Sequence, residues 1–340
     1  MTTRGLVIGK FYPPHRGHKL LIDTALAGCG ELTVVVCDRA DQLPRGDVRA
    51  AWLREIHPQA RVIVVDDCVD AEDSRGWADY TRQFLGYAPE IVFSSEDYGV
   101  RYAGFLSARH VLVDRERQTV PISGTQVRTD PLGAWDFLEP PVRAHYAIRV
   151  CLVGAESTGK TTLARALAEH FHTEWVPEFG RVYAEDMLAK HGQPTAKTAR
   201  GTLPEYRWTT EDFITIARTQ CEHEEAAARR CNKVLVCDTD AFATGIWHRR
   251  YMGVRCAEVE RLAAAWKRPE LYLVTDVDMP FVQDGTRDGE HLRAWMHGVF
   301  LEELAAQGRS FQVISGTHAE RLRAAVAFIE ALSKKVRSQK

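Results

Sequence analysis

AIRVCLVGAESTGKTTLARAL, residues 147–167, decides how half of this 340-residue chain folds. Ala147–Val153 is an apolar run of strand length, and Leu163-Ala164-Arg165-Ala166-Leu167 belongs to a helix expected from Thr161 to about Phe171. Between them, Gly154–Thr161 matches G-x-x-x-x-G-K-[ST] in the strand–turn–helix setting that this pattern requires. Its glycines let backbone N–H groups wrap a phosphate chain at a helix N-terminus. Gly154, Glu156, Ser157, Thr158, Gly159, Lys160, Thr161 and Thr162 are therefore the expected nucleotide contacts. Lys160 would neutralise β/γ oxygens, and the Thr161 hydroxyl would ligate Mg²⁺.

A phosphate loop needs partners at the carboxyl ends of neighbouring strands. Val234–Cys237 runs into Asp238, the expected metal-side carboxylate. A strand near Thr173–Val176 leads to Glu178, which could accept a substrate hydroxyl proton, and to Arg181, which could hold an anionic oxygen. Arg287, in the Gly-containing run Asp284–Gly289, is the expected lid cation. Strands at Leu271–Thr275 and Phe311–Ile314, with a helix from about His318, complete the alternation. His191–Pro204 reads as a loop.

Upstream, Leu6–Ile8, Leu32–Cys37, Val62–Val65, Ile91–Phe93 and His110–Val113 alternate with helical stretches such as Gly17–Ala27 and Asp47–Ile56. Strand and helix in alternation mean parallel sheets covered on both faces, an α/β fold with two doubly wound domains. Near Leu138-Glu139-Pro140-Pro141 the pattern stops, and the adjacent prolines are expected to bar a continuing helix. The expected domains are residues 1–143 and 147–340.

Lys and Arg number 44 against 46 Asp and Glu, so nothing draws the whole chain to nucleic acid or anionic lipid. No apolar run approaches the roughly 18–20 residues of a membrane span, and no signal peptide is evident, so a cytoplasmic protein is expected. The eight cysteines show no metal-ligand spacing and read as reduced structural thiols.

The first strand hands over to the first helix through GKFYPPHRGH, residues 9–18. His15 and His18 at a helix start can each point an N–H at phosphate, and Gly17 allows close backbone approach. A metal is the rival use of the pair, but no third ligand is suggested nearby. After the last strand comes PISGTQVR, residues 121–128, where Ser123 and Thr125 can cap a helical turn and bind phosphate while Arg128 reaches the β or γ group.

Together these fragments resemble the HxGH nucleotidyltransferase superfamily. With the attached phosphate-loop unit they resemble, over nearly the whole chain, the bifunctional NadR family, nicotinamide-mononucleotide adenylyltransferase joined to ribosylnicotinamide kinase. The fragments RAAW (49–52), SSEDYG (94–99) and VDRER (113–117) look like this family too. The resemblance implies that Gly9, Lys10, Phe11, His15, Gly17, His18, Ser123, Thr125 and Arg128 line the ATP side, with Arg49, Trp52, Ser95, Glu96 and Tyr98 on the mononucleotide side. It implies ATP and Mg²⁺ in both halves, nicotinamide riboside and its mononucleotide (NMN) as substrates, and NAD as product. Some members carry an N-terminal helix-turn-helix repressor module; this chain reaches its first strand by Leu6, so no DNA partner is expected. Neither a membrane partner nor an oligomeric state is indicated, and a homo-oligomer stays open. A phosphopantetheine adenylyltransferase joined to a dephospho-coenzyme A kinase has a similar order of parts, but SSEDYG and ISGTQVR argue against it. A nucleotide-sensing regulator with dead sites fits poorly with intact His15, His18, Lys160 and Asp238.

Overall fold

A computed structural model describes residues 2–191, 208–283 and 289–338. The chain divides into two compact units between His145 and Tyr146. In the first unit the strands are β1 (Arg4–Gly9), β2 (Glu31–Asp38), β3 (Arg61–Asp66), β4 (Ile91–Ser94) and β5 (Arg109–Leu112). They form one parallel sheet in the order β3-β2-β1-β4-β5. Helices α1 (Arg16–Gly28), α2 (Gly46–Ile56), α3 (Ser74–Leu85), α4 (Tyr98–Leu106), α5 (Gly124–Thr129) and α6 (Pro140–Tyr146) supply the crossovers and the closing turns. Every expected strand is present: the central β1, β2 and β4 are apolar runs largely buried on both faces, while the edge strands β3 and β5 are partly exposed.

The chain first builds outward from β1 to β3, then returns to place β4 on the other side of β1. A crevice therefore opens beyond the carboxyl ends of β1 and β4, where an open α/β sheet holds its ligand. The helix α1 lies against the sheet through Leu21, Ile22 and Ala25, all buried.

In the second unit β6 (Ile148–Val153), β7 (Trp175–Val176), β8 (Val234–Asp238), β9 (Leu271–Thr275) and β10 (Phe311–Ile314) give a second parallel sheet, ordered β10-β9-β6-β8-β7. Its helices are α7 (Lys160–His170), α8 (Phe179–His191), α9 (Thr210–Ala228), α10 (Ala241–Met252), α11 (Ala257–Ala265), α12 (Arg293–Ala306) and α13 (His318–Ser338). The pairing Leu152↔Asp238 sets the end of β8 level with the start of the phosphate loop.

No helix continues across the adjacent prolines, as expected; Pro140 and Pro141 instead open a new helix, α6, because first-turn residues need no N–H donor. Apart from His191, the loop expected at His191–Pro204 lies outside the described residues, as does Arg287. All eight cysteines are free thiols, as expected. Among the described residues, no helix is long and apolar enough to cross a membrane.

Arg321, 2% exposed on α13, fastens the phosphate loop to the rest of its unit. Its guanidinium donates to Thr158 O at 2.7 Å, Gly316 O at 2.9 Å and Asp276 O at 3.2 Å, and pairs with the Asp278 carboxylate. Arg321→Leu should cost about 2–3 kcal/mol, since buried carbonyls and a carboxylate lose their donor. Urea unfolding of the full chain measures this, and an unchanged curve would contradict it.

Candidate active sites

His15 is the N-cap of α1, and its Nδ1 accepts from Gly17 N at 3.1 Å and His18 N at 3.4 Å. His18 Nδ1 in turn accepts from His15 N at 3.3 Å, so two imidazoles form the reciprocal cap usually made by Ser and Glu. The rings stack with centroids 3.7 Å apart. Since each Nδ1 is an acceptor, each neutral ring must carry its proton on Nε2. Burial, reinforced by Arg117, lowers His15 to about 4. Burial lowers His18 further below the ordinary histidine range, with His15 and Arg117 adding to it. His15 Nε2 is buried without a partner among the described residues, a donor awaiting an acceptor. Gly17 is required here because a Cβ would lie 2.9 Å from His15 Cε1.

These rings line a cleft of about 1250 Å³ together with Gly9, Lys10, Phe11, Gly17, Ser95, Glu96, Tyr98, Ser123, Thr125 and Arg128, so most of the first unit's expected residues do converge. Lys10 pairs with Asp67 at 3.2 Å. Arg128 is held by Tyr12 O and Thr125 Oγ1, each at 3.3 Å. Ser123 alone caps α5, through a reciprocal bond with Gln126, while Thr125 sits inside the helix.

Arg49 and Trp52 do not line the cleft. Both lie on the buried face of α2, a face that a four-residue fragment cannot reveal. Arg49, fully buried, donates to Asp38 Oδ1 at 2.6 Å, to Cys37 O at 3.3 Å and to Lys10 O, bracing the backbone under Lys10. Trp52 packs edge-on against His145 at 5.1 Å. Sequence reasoning missed Asp67 and Trp77 and gave Arg117 no role beyond its place in VDRER, yet all three line the cleft. Asp67 follows directly on the carboxyl end of β3, a position that could have drawn attention.

In the second unit, φ of 142° at Gly154, 57° at Ser157 and 80° at Gly159 curls the loop so that its amides face inward. At Gly154 a Cβ would also lie 2.7 Å from Thr275 Oγ1. Lys160 Nζ donates to Gly154 O at 3.1 Å and Ala155 O at 2.9 Å. Thr161 Oγ1 donates to Asp238 Oδ2 at 2.6 Å, while buried Asp238 Oδ1 has no partner among the described residues. Burial pushes the Asp238 carboxyl above the usual carboxylate range, against the pull of Lys160. Glu178 is pushed up by burial and by Asp238, again opposed by Lys160.

A cavity of about 190 Å³ joins Glu156–Thr162, Glu178 and Arg181 to an aromatic wall of Trp208, Phe213, Trp247 and Tyr251. No local pattern announces that wall, whose members come from two separate stretches, residues 208–213 and 247–251. Glu156 presents backbone rather than carboxylate to the loop, since its side chain pairs with Arg250 at 2.8 Å and accepts from Gly289 N at 2.9 Å. Mg²⁺ fits what is present: a hydroxyl and an orphaned carboxylate oxygen are hard donors, and such a site completes its shell with phosphate and water. Among the described residues, no cluster of three or more His, Cys, Asp or Glu offers a rival metal site.

Fold and loops together define a two-unit α/β protein that binds nucleotide phosphates, with a P-loop in the second unit. Residues 149–321 match the AAA domain family, and the chain belongs to it. The chain is also similar to the trifunctional NAD biosynthesis/regulator protein NadR of Escherichia coli (strain K12), 28% identical over 311 residues, which are 84% of this chain and 72% of that one. The NadR protein of Salmonella typhimurium (strain LT2) is 28% identical over 309 residues, 83% of this chain and 71% of that one. The family resemblance read from the sequence is borne out. The fold is shared with a NadR protein in complex with NAD and AMP-PNP, at TM-score 0.73 and 20% identity, covering 97% of this chain and 96% of that one. A NadR protein in complex with NR gives TM-score 0.72 and 21% identity over the same shares.

The lowered His15 gives a signed pH dependence. Unfolded His15 binds its proton near the ordinary 6.5 and folded His15 only near 4, so stability present above 6.5 is lost as pH falls through that window. Histidine NMR titration should show His15 neutral at pH 5.5, and a midpoint near 6.5 would contradict the buried neutral pair.

Proposed function

We propose that the chain makes NAD from nicotinamide riboside in two ATP-dependent steps, one in each unit. The observation that carries this reading is the presence in one chain of two independent phosphate sites, each with its cationic and hydrogen-bonding groups converging on a cavity. Similarity to NadR relatives over both units supports it.

In the second unit the riboside hydroxyl oxygen attacks the γ-phosphorus of ATP, the bond to the ADP oxygen breaks, and Glu178 receives the hydroxyl proton. Glu178 lines the cavity and its raised affinity for protons suits it as acceptor. Lys160 exchanges the two loop carbonyls for β/γ oxygens, and Arg181 holds an oxygen of the incoming group. Thr161 and Asp238 would hold Mg²⁺, which supplies charge neutralisation along the phosphates. The pyridinium ring of the riboside is a flat cation, and the cavity that would receive it is lined by Trp208, Trp247 and Tyr251, with Arg250 over the latter two rings. Arg287, outside the described residues, remains the proposed lid cation.

In the first unit no protein nucleophile is required. A phosphate oxygen of the mononucleotide attacks the α-phosphorus of ATP and pyrophosphate departs. The Nε2–H groups of His15 and His18, with Lys10 and Arg128, stabilise the charge that gathers on the phosphates, while Gly9, Phe11, Gly17, Ser123 and Thr125 shape the ATP side. Ser95, Glu96 and Tyr98 form the mononucleotide side, joined by Trp77 on the cleft wall. Arg49 acts from beneath, by holding the Lys10 carbonyl.

Single substitutions separate the steps. Lys160→Ala should abolish phosphorylation of the riboside and leave adenylyl transfer from ATP to the mononucleotide. His18→Ala should lower adenylyl transfer about 10²- to 10³-fold and spare phosphorylation. Chromatography of each product measures both, and one substitution silencing both steps in a folded chain would overturn the two-site reading.

A further inference from the structure

Behind the second site, a single buried amide touches the chain beside both of its carboxylates, Glu178 and Asp238. Gln220 lies on the inward face of α9 and is fully buried. Its Oε1 accepts from Phe179 N at 3.0 Å, and its Nε2 donates to Thr239 O at 3.4 Å. Phe179 follows Glu178 and Thr239 follows Asp238, so the bond at each end falls one residue past an acid. The buried Glu224 carboxyl lies one turn further along α9, and the Gln220 amide favours its charged form against the burial that raises its pKa. The amide cannot turn over, because a flip would set its NH₂ against the Phe179 N–H and its oxygen against the Thr239 carbonyl.

Thr239 needs such a hold. With φ of 75° it sits in the left-handed region, which costs a β-branched residue energy, and its N–H donates to Leu152 O at 3.0 Å. The strained residue thus turns the chain sharply after Asp238, and its carbonyl faces Gln220. The helix α8 starts at Phe179, whose N–H has no partner within its own helix.

We propose that Gln220 is a positioning residue for phosphoryl transfer, its amide setting the separation between Glu178 and Asp238. The proposal rests on the kinase reading of this unit. It assigns Gln220 no contact with substrate or nucleotide.

Gln220→Met keeps length and apolar stem but removes both hydrogen bonds. In the full chain, kcat for riboside phosphorylation should fall about 10- to 100-fold, with the KM for riboside within about twofold. Adenylyl transfer should not change. A second readout needs no turnover: hydrogen exchange at the Phe179 amide should accelerate by about tenfold. Gln220→Glu covers poor folding of the first variant. It retains the oxygen for Phe179 N–H but sets another against the Thr239 carbonyl, so Phe179 should stay protected while kcat still falls. A merely structural role would lower the melting temperature of both variants and leave kcat within about twofold, which would overturn the proposal. Unaltered Phe179 exchange in Gln220→Met would overturn it too. A wild-type chain that phosphorylates no riboside would instead sink the kinase reading, a result distinct from either.

Discussion

Within each sheet every strand runs the same way, and that constraint determines where chemistry can sit. A parallel strand ends on one edge of its sheet, and the helix that follows begins there with unpaired N–H groups and a partial positive charge. After β1 and after β6 the chain uses this edge in two ways. At β6 the backbone supplies the donors, curled by residues at positive φ. At β1 two histidine side chains satisfy the helix end and point their remaining N–H groups onward.

The histidine pair works because it is neutral. Charged imidazoles would lose the Nδ1 acceptors that cap α1, and stacking them in a buried cleft would set like charges together. Burial and Arg117 remove that conflict by depressing both groups. The pair therefore gives fixed hydrogen-bond donors, while Lys10 and Arg128 bring the charge. In the second unit the balance reverses: Lys160 acts electrostatically on both Glu178 and Asp238, and the half-buried Glu178 and the buried Asp238 are tolerated because a cation and a hydroxyl attend them.

All ten strands were legible in the sequence, because the central ones are short apolar runs buried on both faces and the edge strands still carry enough apolar residues to stand out. Helix α3, not among the expected helices, carries Trp77, Tyr80, Phe84 and Leu85 at helical spacing between the Asp73 cap and Gly86, a periodicity that could have found it. The phosphate sites were legible where function forces residue type at fixed spacing, as in HRGH and GAESTGKT. Arg49 and Trp52 were misplaced because their fragment carries no information about which face of α2 meets the sheet. Gln220 and the aromatic wall were invisible, since each matters only through neighbours distant in the chain.

The central claim is that one chain spends two ATP on each riboside, the first at the γ-phosphorus and the second at the α-phosphorus. Phosphorus NMR of wild-type protein with nicotinamide riboside, ATP and Mg²⁺ tests it directly. The account predicts ADP, pyrophosphate and NAD accumulating in equal amounts once the mononucleotide reaches steady state. ADP without pyrophosphate, pyrophosphate without ADP, or neither would contradict it.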